Sequence, residues 1–177
     1  MKTSRFFSIA LITALVVSCK DTTSNPQPEP RPKIYFETEY VNFARGGYSH
    51  NGWFIDTSGA VISYDIGKSG IQWIPNPTGY YTEAELWAKI HHNDTLRGVV
   101  SADTLELLRG LATSSVAGTQ SDTVCPGADM GALVYSCYVF QPDSTKFRRI
   151  ELRVDGDCRH YNTSQSAIEL ANWMARK

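Results

Sequence analysis

Residues Trp53 to Tyr64 read W-F-I-D-T-S-G-A-V-I-S-Y, two runs of aromatic and β-branched residues separated by Asp56, Thr57, Ser58 and Gly59. Asp at the start of a tight turn and Gly at its end, where φ is positive, fit a type I turn with a bulge. The segment therefore predicts a β-hairpin, and it sets the strand content of what surrounds it. Upstream, Ile34 to Phe43 reads as a strand with Ile34, Phe36 and Tyr40 on one face and Tyr35, Val41 and Phe43 on the other. Gly46, Gly47 and Gly52 mark a loop after it. Ile71 to Ile74 predicts a further short strand stopped by Pro75 and Pro77.

A second hairpin is expected from Ala132 to Phe140 and Lys146 to Val154, around Pro142, Asp143, Ser144 and Thr145. In its second strand Ile150, Leu152 and Val154 alternate with Arg149, Glu151 and Arg153, which predicts one buried and one wet face. Three segments have helical spacing. Thr82 with Glu85 three residues on is a capping box for a helix from Glu83 to His92, with Leu86, Trp87 and Ile90 as its stripe. Ser101 caps a second helix carrying Leu105, Leu108 and Leu111, after which Thr119 to Gly131 is a loop. A third starts at Asn162 or Ser164 and turns Ile168, Ala171 and Met174, or Leu170 and Trp173, to the sheet. The expected fold is α+β: antiparallel β-hairpins packed by two or three helices in a single domain, residues 34–177.

Three cysteines, Cys125, Cys137 and Cys158, fall within this domain, with neither a C-x-x-C nor a His pair at zinc spacing beside them. If Gln141 sits opposite Lys146 in the second hairpin, Cys137 falls opposite Ile150 on the apolar face and is a buried thiol. Cys125 and Cys158 both lie past the open end of that hairpin, and a disulfide between them is expected.

The segment before Ile34 has a different chemistry. Lys2 and Arg5 precede about a dozen apolar residues, Phe6 to Val17, broken only by Ser8 and Thr13. This is the pattern of a secretory signal peptide, and it is shorter than the roughly 20 residues that span a bilayer. Val16, Val17 and Ser18 stand directly before Cys19, which resembles the lipobox of bacterial lipoprotein precursors, with Val16 where Leu is commonest. The resemblance covers residues 1–19. It implies cleavage before Cys19, a diacylglycerol on its thiol and an acylated amino group, hence a lipid anchor in the cell envelope. Lys20 after the cysteine favours the outer membrane, and Lys20, Asp21 partly resembles a surface-export signal that Thr22 breaks. From Lys20 to Lys33, Pro26, Pro28, Pro30 and Pro32 alternate with polar residues, as in an extended polyproline spacer. The organisation expected is a signal peptide over 1–18, the lipidated cysteine and linker over 19–33, and the domain over 34–177. Beyond the lipobox, G-W-F-I-D-T-S-G-A-V-I-S-Y-D is similar to uncharacterised bacterial lipoproteins, a likeness that implies no activity.

Without Lys2 and Arg5, 15 basic side chains face 18 acidic ones, so no basic excess points to nucleic acid. Chemistry-bearing residues are scattered. His91 and His92 are adjacent and point about 100 degrees apart on a helix, unlike a metal pair. Asp155, Gly156, Asp157 has Arg159 at the next calcium-ligand position and reads as a turn. Cys158 and His160 offer a thiolate only if the disulfide is absent. Ser49 with His50, or Ser136, lacks the G-x-S-x-G context of a hydrolase. Aromatic residues are the remaining signal. Tyr48, His50, Trp53, Trp73, Tyr80 and Tyr81 lie in or beside Gly- and Pro-rich loops, where rings bind partners by stacking and low-entropy contact area.

The expected function is a non-catalytic binding domain at the envelope, held by lipid on Cys19 and recognising an envelope protein, peptide or glycan, with no cofactor or metal implied. The alternative is an envelope hydrolase or periplasmic enzyme inhibitor. A hydrolase predicts a cleft in which two or more of His50, Asp56, Asp157 and His160 converge; a binding module predicts an exposed aromatic patch without them.

Overall fold

The computed structural model describes residues 32–43 and 47–177; the signal segment, Cys19 and all of the linker except Pro32 and Lys33 lie outside them. The expected hairpin is present as β2 (Ser49–Ile55) and β3 (Ala60–Asp65). Asp56 Oδ1 accepts hydrogen bonds from the backbone N–H groups of Ser58 and Ala60, and Gly59 has φ 92°. The preceding strand, β1 (Ile34–Asn42), pairs with β2 and, at long range, with β6 (Ala132–Gln141), which forms the second hairpin with β7 (Lys146–Gly156). β1 thus joins two local hairpins into one sheet.

Three short strands complete the sheet: β4 (Tyr80–Tyr81), β5 (Thr95–Val99) and β8 (His160–Tyr161). Its eight antiparallel strands run β4-β7-β6-β1-β2-β3-β5, with β8 also on β7. The predicted register holds, since Gln141 faces Lys146 and Cys137 faces Ile150, until a bulge near Tyr135 and Ser136 shifts it. Cys137 is buried and free, and burial pushes its thiol up to about 12, which leaves it unreactive. Cys125 and Cys158 form the expected disulfide.

The helices are α1 (Glu83–Ile90), α2 (Ala102–Ser115) and α3 (Gln165–Met174). Both halves of the Thr82–Glu85 capping box are made, and Ser101 and Ser164 cap the other two helices. They cover the sheet unequally. On one face α2 and α3 pack Leu105, Leu108, Leu170 and Met174 against Phe36, Ile55, Cys137 and Leu152, an aliphatic layer. On the other, α1 contributes Leu86 and Ile90 to a layer of rings: Tyr35, Phe54, Tyr64, Tyr81, Tyr138 and Phe147. Tyr35 stacks on Phe54 with centroids 5.1 Å apart, and its hydroxyl donates to Glu83.

Three expectations are corrected. Gly52 is not in the loop after β1 but inside β2, paired with Glu39 and Tyr64. Ile71 to Ile74 is a loop, because the Trp73 N–H donates to the Tyr48 hydroxyl instead of to a strand. The Arg149 side of β7 is not uniformly wet: the Arg149 N–H donates to the Gly79 carbonyl, its guanidinium is bound to Glu39, and its side chain is only 11% exposed. β5 was not expected at all; its five exposed residues, interrupted by Gly98, carry too little alternation to signal a strand.

Gly52 shows how tightly the first three strands meet. A Cβ there would lie 2.2 Å from the Thr38 carbonyl oxygen and 3.0 Å from both Glu39 Cα and the Tyr64 hydroxyl. Gly110, in α2, has nothing within 4 Å of the same point. Gly52→Ala is therefore expected to cost about 2–3 kcal/mol through strand displacement, whereas Gly110→Ala gains about 0.5–1 kcal/mol from helix propensity. Urea unfolding of the two variants checks the contrast, and destabilisation of similar size in both would refute it.

Candidate functional site

On the ring-lined face β1 alternates Tyr35, Glu37 and Glu39 toward α1, so two carboxylates enter the core side by side. Lys89, three residues after Leu86 and one before Ile90, lies on the buried face of α1 and follows the same stripe inward. Its ammonium is 2.8 Å from the Glu37 carboxylate and 2.5 Å from Glu39. Glu37 also accepts hydrogen bonds from the hydroxyls of Tyr64 and Tyr138, both at 2.5 Å. Glu39 accepts from Arg149 Nη2 at 2.5 Å and is 2.9 Å from His50 Nε2. Arg149 Nε donates to Ser136 Oγ at 3.0 Å. Two carboxylates and two cations balance, and each of the four carboxylate oxygens has at least one donor, the condition under which buried charge is tolerated.

Burial pushes the Glu39 carboxyl up, but the charges of Lys89 and Arg149 and the hydrogen bond from His50 outweigh it and hold it well below the usual carboxylate range. Burial likewise opposes the charge on Arg149, and Glu39 overrides it. Burial and the Glu37 charge raise Tyr64 and Tyr138, so both act as phenol donors.

The network reaches the surface through His50. Its Nδ1 is 2.7 Å from the Tyr48 hydroxyl, and that oxygen accepts the Trp73 backbone N–H at 3.1 Å. Both ring contacts are satisfied when Nε2 carries the proton. A second tyrosine acts alike: the Asn76 N–H donates to Tyr81 Oη at 3.1 Å, while Gly79 accepts from Arg149 N. The loop from Gly70 to Gly79 is thereby held at Trp73, Asn76 and Gly79. Lys89 Nζ lies 5.8 Å from the Trp73 ring, beneath the loop. The loop presents Ile71 and Ile74, the latter 77% exposed, and Phe43 packs its ring 5.1 Å from that of Tyr48 while remaining 63% exposed.

Of the six aromatic candidates, the structure brings Tyr48, His50, Trp73, Tyr80 and Tyr81 to this loop. His50 and Tyr81 are buried and serve as supports, not contact surface: their polar atoms hold Glu39 and the loop backbone. Tyr80 is half-buried and its carbonyl accepts from Asn76 Nδ2. Trp53 lies on the other face, beside the α2–α3 layer.

The residues considered for chemistry are dispersed. Asp56 closes the hairpin turn, Asp157 accepts the backbone N–H groups of Met130 and Gly131, and His160 bonds Glu151. His91 stacks on Trp87 and bonds Asp94, Ser49 accepts from Asn51, and Cys158 is in the disulfide. The Tyr48–His50–Glu39 chain has the order of a catalytic relay. Burial raises Tyr48, however, and its oxygen is already occupied by a donor and an acceptor, the reverse of an activated nucleophile.

Glu37, Glu39, Lys89 and Arg149 were not singled out from sequence. Signals existed: two acidic residues on one face of an aromatic strand, and a lysine on the apolar stripe of α1.

Because Glu39 is held low, it contributes stability that is complete above its unfolded value, about 4.3, and is lost as pH falls through its lower folded value. Glu39→Gln leaves Lys89 and Arg149 short of a buried counter-charge and is expected to cost about 3–5 kcal/mol near neutral pH. It also flattens the loss of stability below about pH 4.3. Urea unfolding of both proteins across that range checks this; parallel pH profiles would remove Glu39 from the account. Tyr48→Phe deletes the donor to His50 and the acceptor for Trp73, and an expected loss of about 1–3 kcal/mol should appear with faster amide exchange at Trp73.

No protein family matches the chain, and no curated protein or solved structure matches it significantly.

Proposed function

We propose that the protein is a lipid-anchored lipoprotein of the bacterial cell envelope, carried by the outer membrane, and that residues 34–177 form a non-catalytic binding domain. The observation that carries this reading is the hydrogen-bond chain from Glu39 through His50 and Tyr48 to the backbone of Trp73. It spends the buried ionisable groups on holding a loop in place. A loop held in this way loses little entropy on association, and preorganisation of this kind favours binding. Ile74, Phe43 and the half-buried Trp73 and Tyr48 form an apolar edge of the kind that contacts a protein, peptide or glycan. The hydrolase reading has less support, since His50, Asp56, Asp157 and His160 serve four separate structural contacts.

The anchor rests on the lipobox-like Val16-Val17-Ser18-Cys19. No helix among the described residues is long and apolar enough to cross a membrane. Two acyl chains on one cysteine give stable attachment where a single chain is marginal.

Palmitate labelling of the full chain in cells is expected to be lost in Cys19→Ala, and equal labelling would refute the anchor. For the binding edge, a photocrosslinking residue placed at Ile74 should yield a discrete adduct in intact cells. The same probe at Leu107, exposed on α2, should not, and identical patterns at both positions would defeat the proposal.

A further inference from the structure

The opposite face carries a second site that the loop does not explain. Between β5, the start of α2 and the end of α3 lies a cleft of about 300 Å³. Trp53 and Trp173 line it from β2 and α3, and Arg97, Gly98 and Lys177 stand at its rim. No Asp or Glu lines it.

The position of Arg97 is not that of an ordinary strand residue. Val61 pairs with Gly98 and Ile62 with Leu96, which leaves Arg97 as the extra residue of a bulge. Bulges re-aim side chains, and here Arg97 Nε donates to Ser63 Oγ at 2.7 Å. Ser63 faces Trp53 across the β2–β3 ladder, so the guanidinium is drawn to the face that carries the indole. Gly98 has φ 156°, and nothing lies within 4 Å of the point where a Cβ would sit. A glycine with open space at a bulge is a place where a ligand approaches the backbone closely. Lys177 Nζ lies 4.9 Å from the Trp173 ring centroid. Among the described residues, neither Arg97 nor Lys177 forms an ion pair. Two cations with no acidic side chain among the lining residues therefore share a cleft with two indoles, in a domain whose charge is otherwise net acidic.

We propose that this cleft binds a sugar ring bearing one carboxylate, an acidic saccharide unit such as a uronic acid. The Trp53 indole offers apolar surface to the ring, the Lys177 ammonium lies over that of Trp173, and a guanidinium fork matches a carboxylate. Ser101 and Thr104, whose hydroxyls bond one another at 2.8 Å, and the outermost strand line the cleft where the sugar hydroxyls would lie. The volume is at the small end of ligand pockets, about 300–1,000 Å³, which suits a single ring. The acidic balance of the domain disfavours a polyanion, whose charge exceeds what two cations neutralise. The site lies on the face away from the Trp73 loop and does not depend on the role proposed for it.

Calorimetric titration of the full chain in detergent tests the proposal with four probes: methyl glucuronide, methyl glucoside, acetate and adenosine monophosphate. Glucuronide is expected to bind at least about tenfold more tightly than each of the others, the worth of one charge-assisted hydrogen bond set in an apolar site. Arg97→Gln, an exposed substitution, should reduce glucuronide affinity by about the same factor while thermal unfolding stays unchanged. No heat with glucuronide, equal affinity for glucoside or acetate, or undiminished affinity in Arg97→Gln would overturn the assignment. Tighter binding of the nucleotide would overturn it in favour of a phosphate ligand.

Discussion

Glu39 is the residue around which the ring-lined half of this protein is arranged, because a carboxylate inside a sheet domain must be matched where it stands. Lys89, Arg149 and His50 reach it from α1, β7 and β2, three elements distant in sequence. Each element is fixed in position by that convergence as well as by apolar packing. Glu37 adds a second focus next to it, holding the hydroxyls of Tyr64 and Tyr138 and sharing Lys89. Apolar contact alone tolerates sliding; a charge cluster in which every carboxylate oxygen has a donor does not.

This difference separates the two faces of the sheet. The α2–α3 face is held by a largely aliphatic layer, with Trp53 and Trp173 packed at its edge. The α1 face combines rings with charge, and its hydrogen bonds continue outward to the backbone of the Trp73 loop, so that interior order is transmitted to the surface. The acid–base groups that in another setting belong to catalysis are here engaged in positioning.

Much of the architecture was legible locally. The Asp56–Gly59 turn, the Thr82–Glu85 capping box, the Ser101 and Ser164 caps and the register that placed Cys137 opposite Ile150 are short-range features with their own stereochemistry. The strand expected at Ile71 to Ile74 misled because apolar residues before prolines suit a loop pinned by side chains as well as a strand. β5 escaped because a bulge and Gly98 break its period. Arg149 was placed on a wet face because alternation reports which residues share a side, not what later covers that side.

The amino-acid sequence by itself determined the hairpins, the helix starts and the α+β class, since turn chemistry, capping and strand alternation act over a few residues. The aromatic signal that drew notice to Tyr48, His50, Trp73 and Tyr81 was present there as well. Only the tertiary structure decided that two of these are buried supports, that Glu37, Glu39, Lys89 and Arg149 form one cluster, and that Trp53 and Trp173 share a cleft on the other face. Such decisions depend on β1 pairing with β6 about a hundred residues away, and no short-range rule specifies which buried charge will meet which.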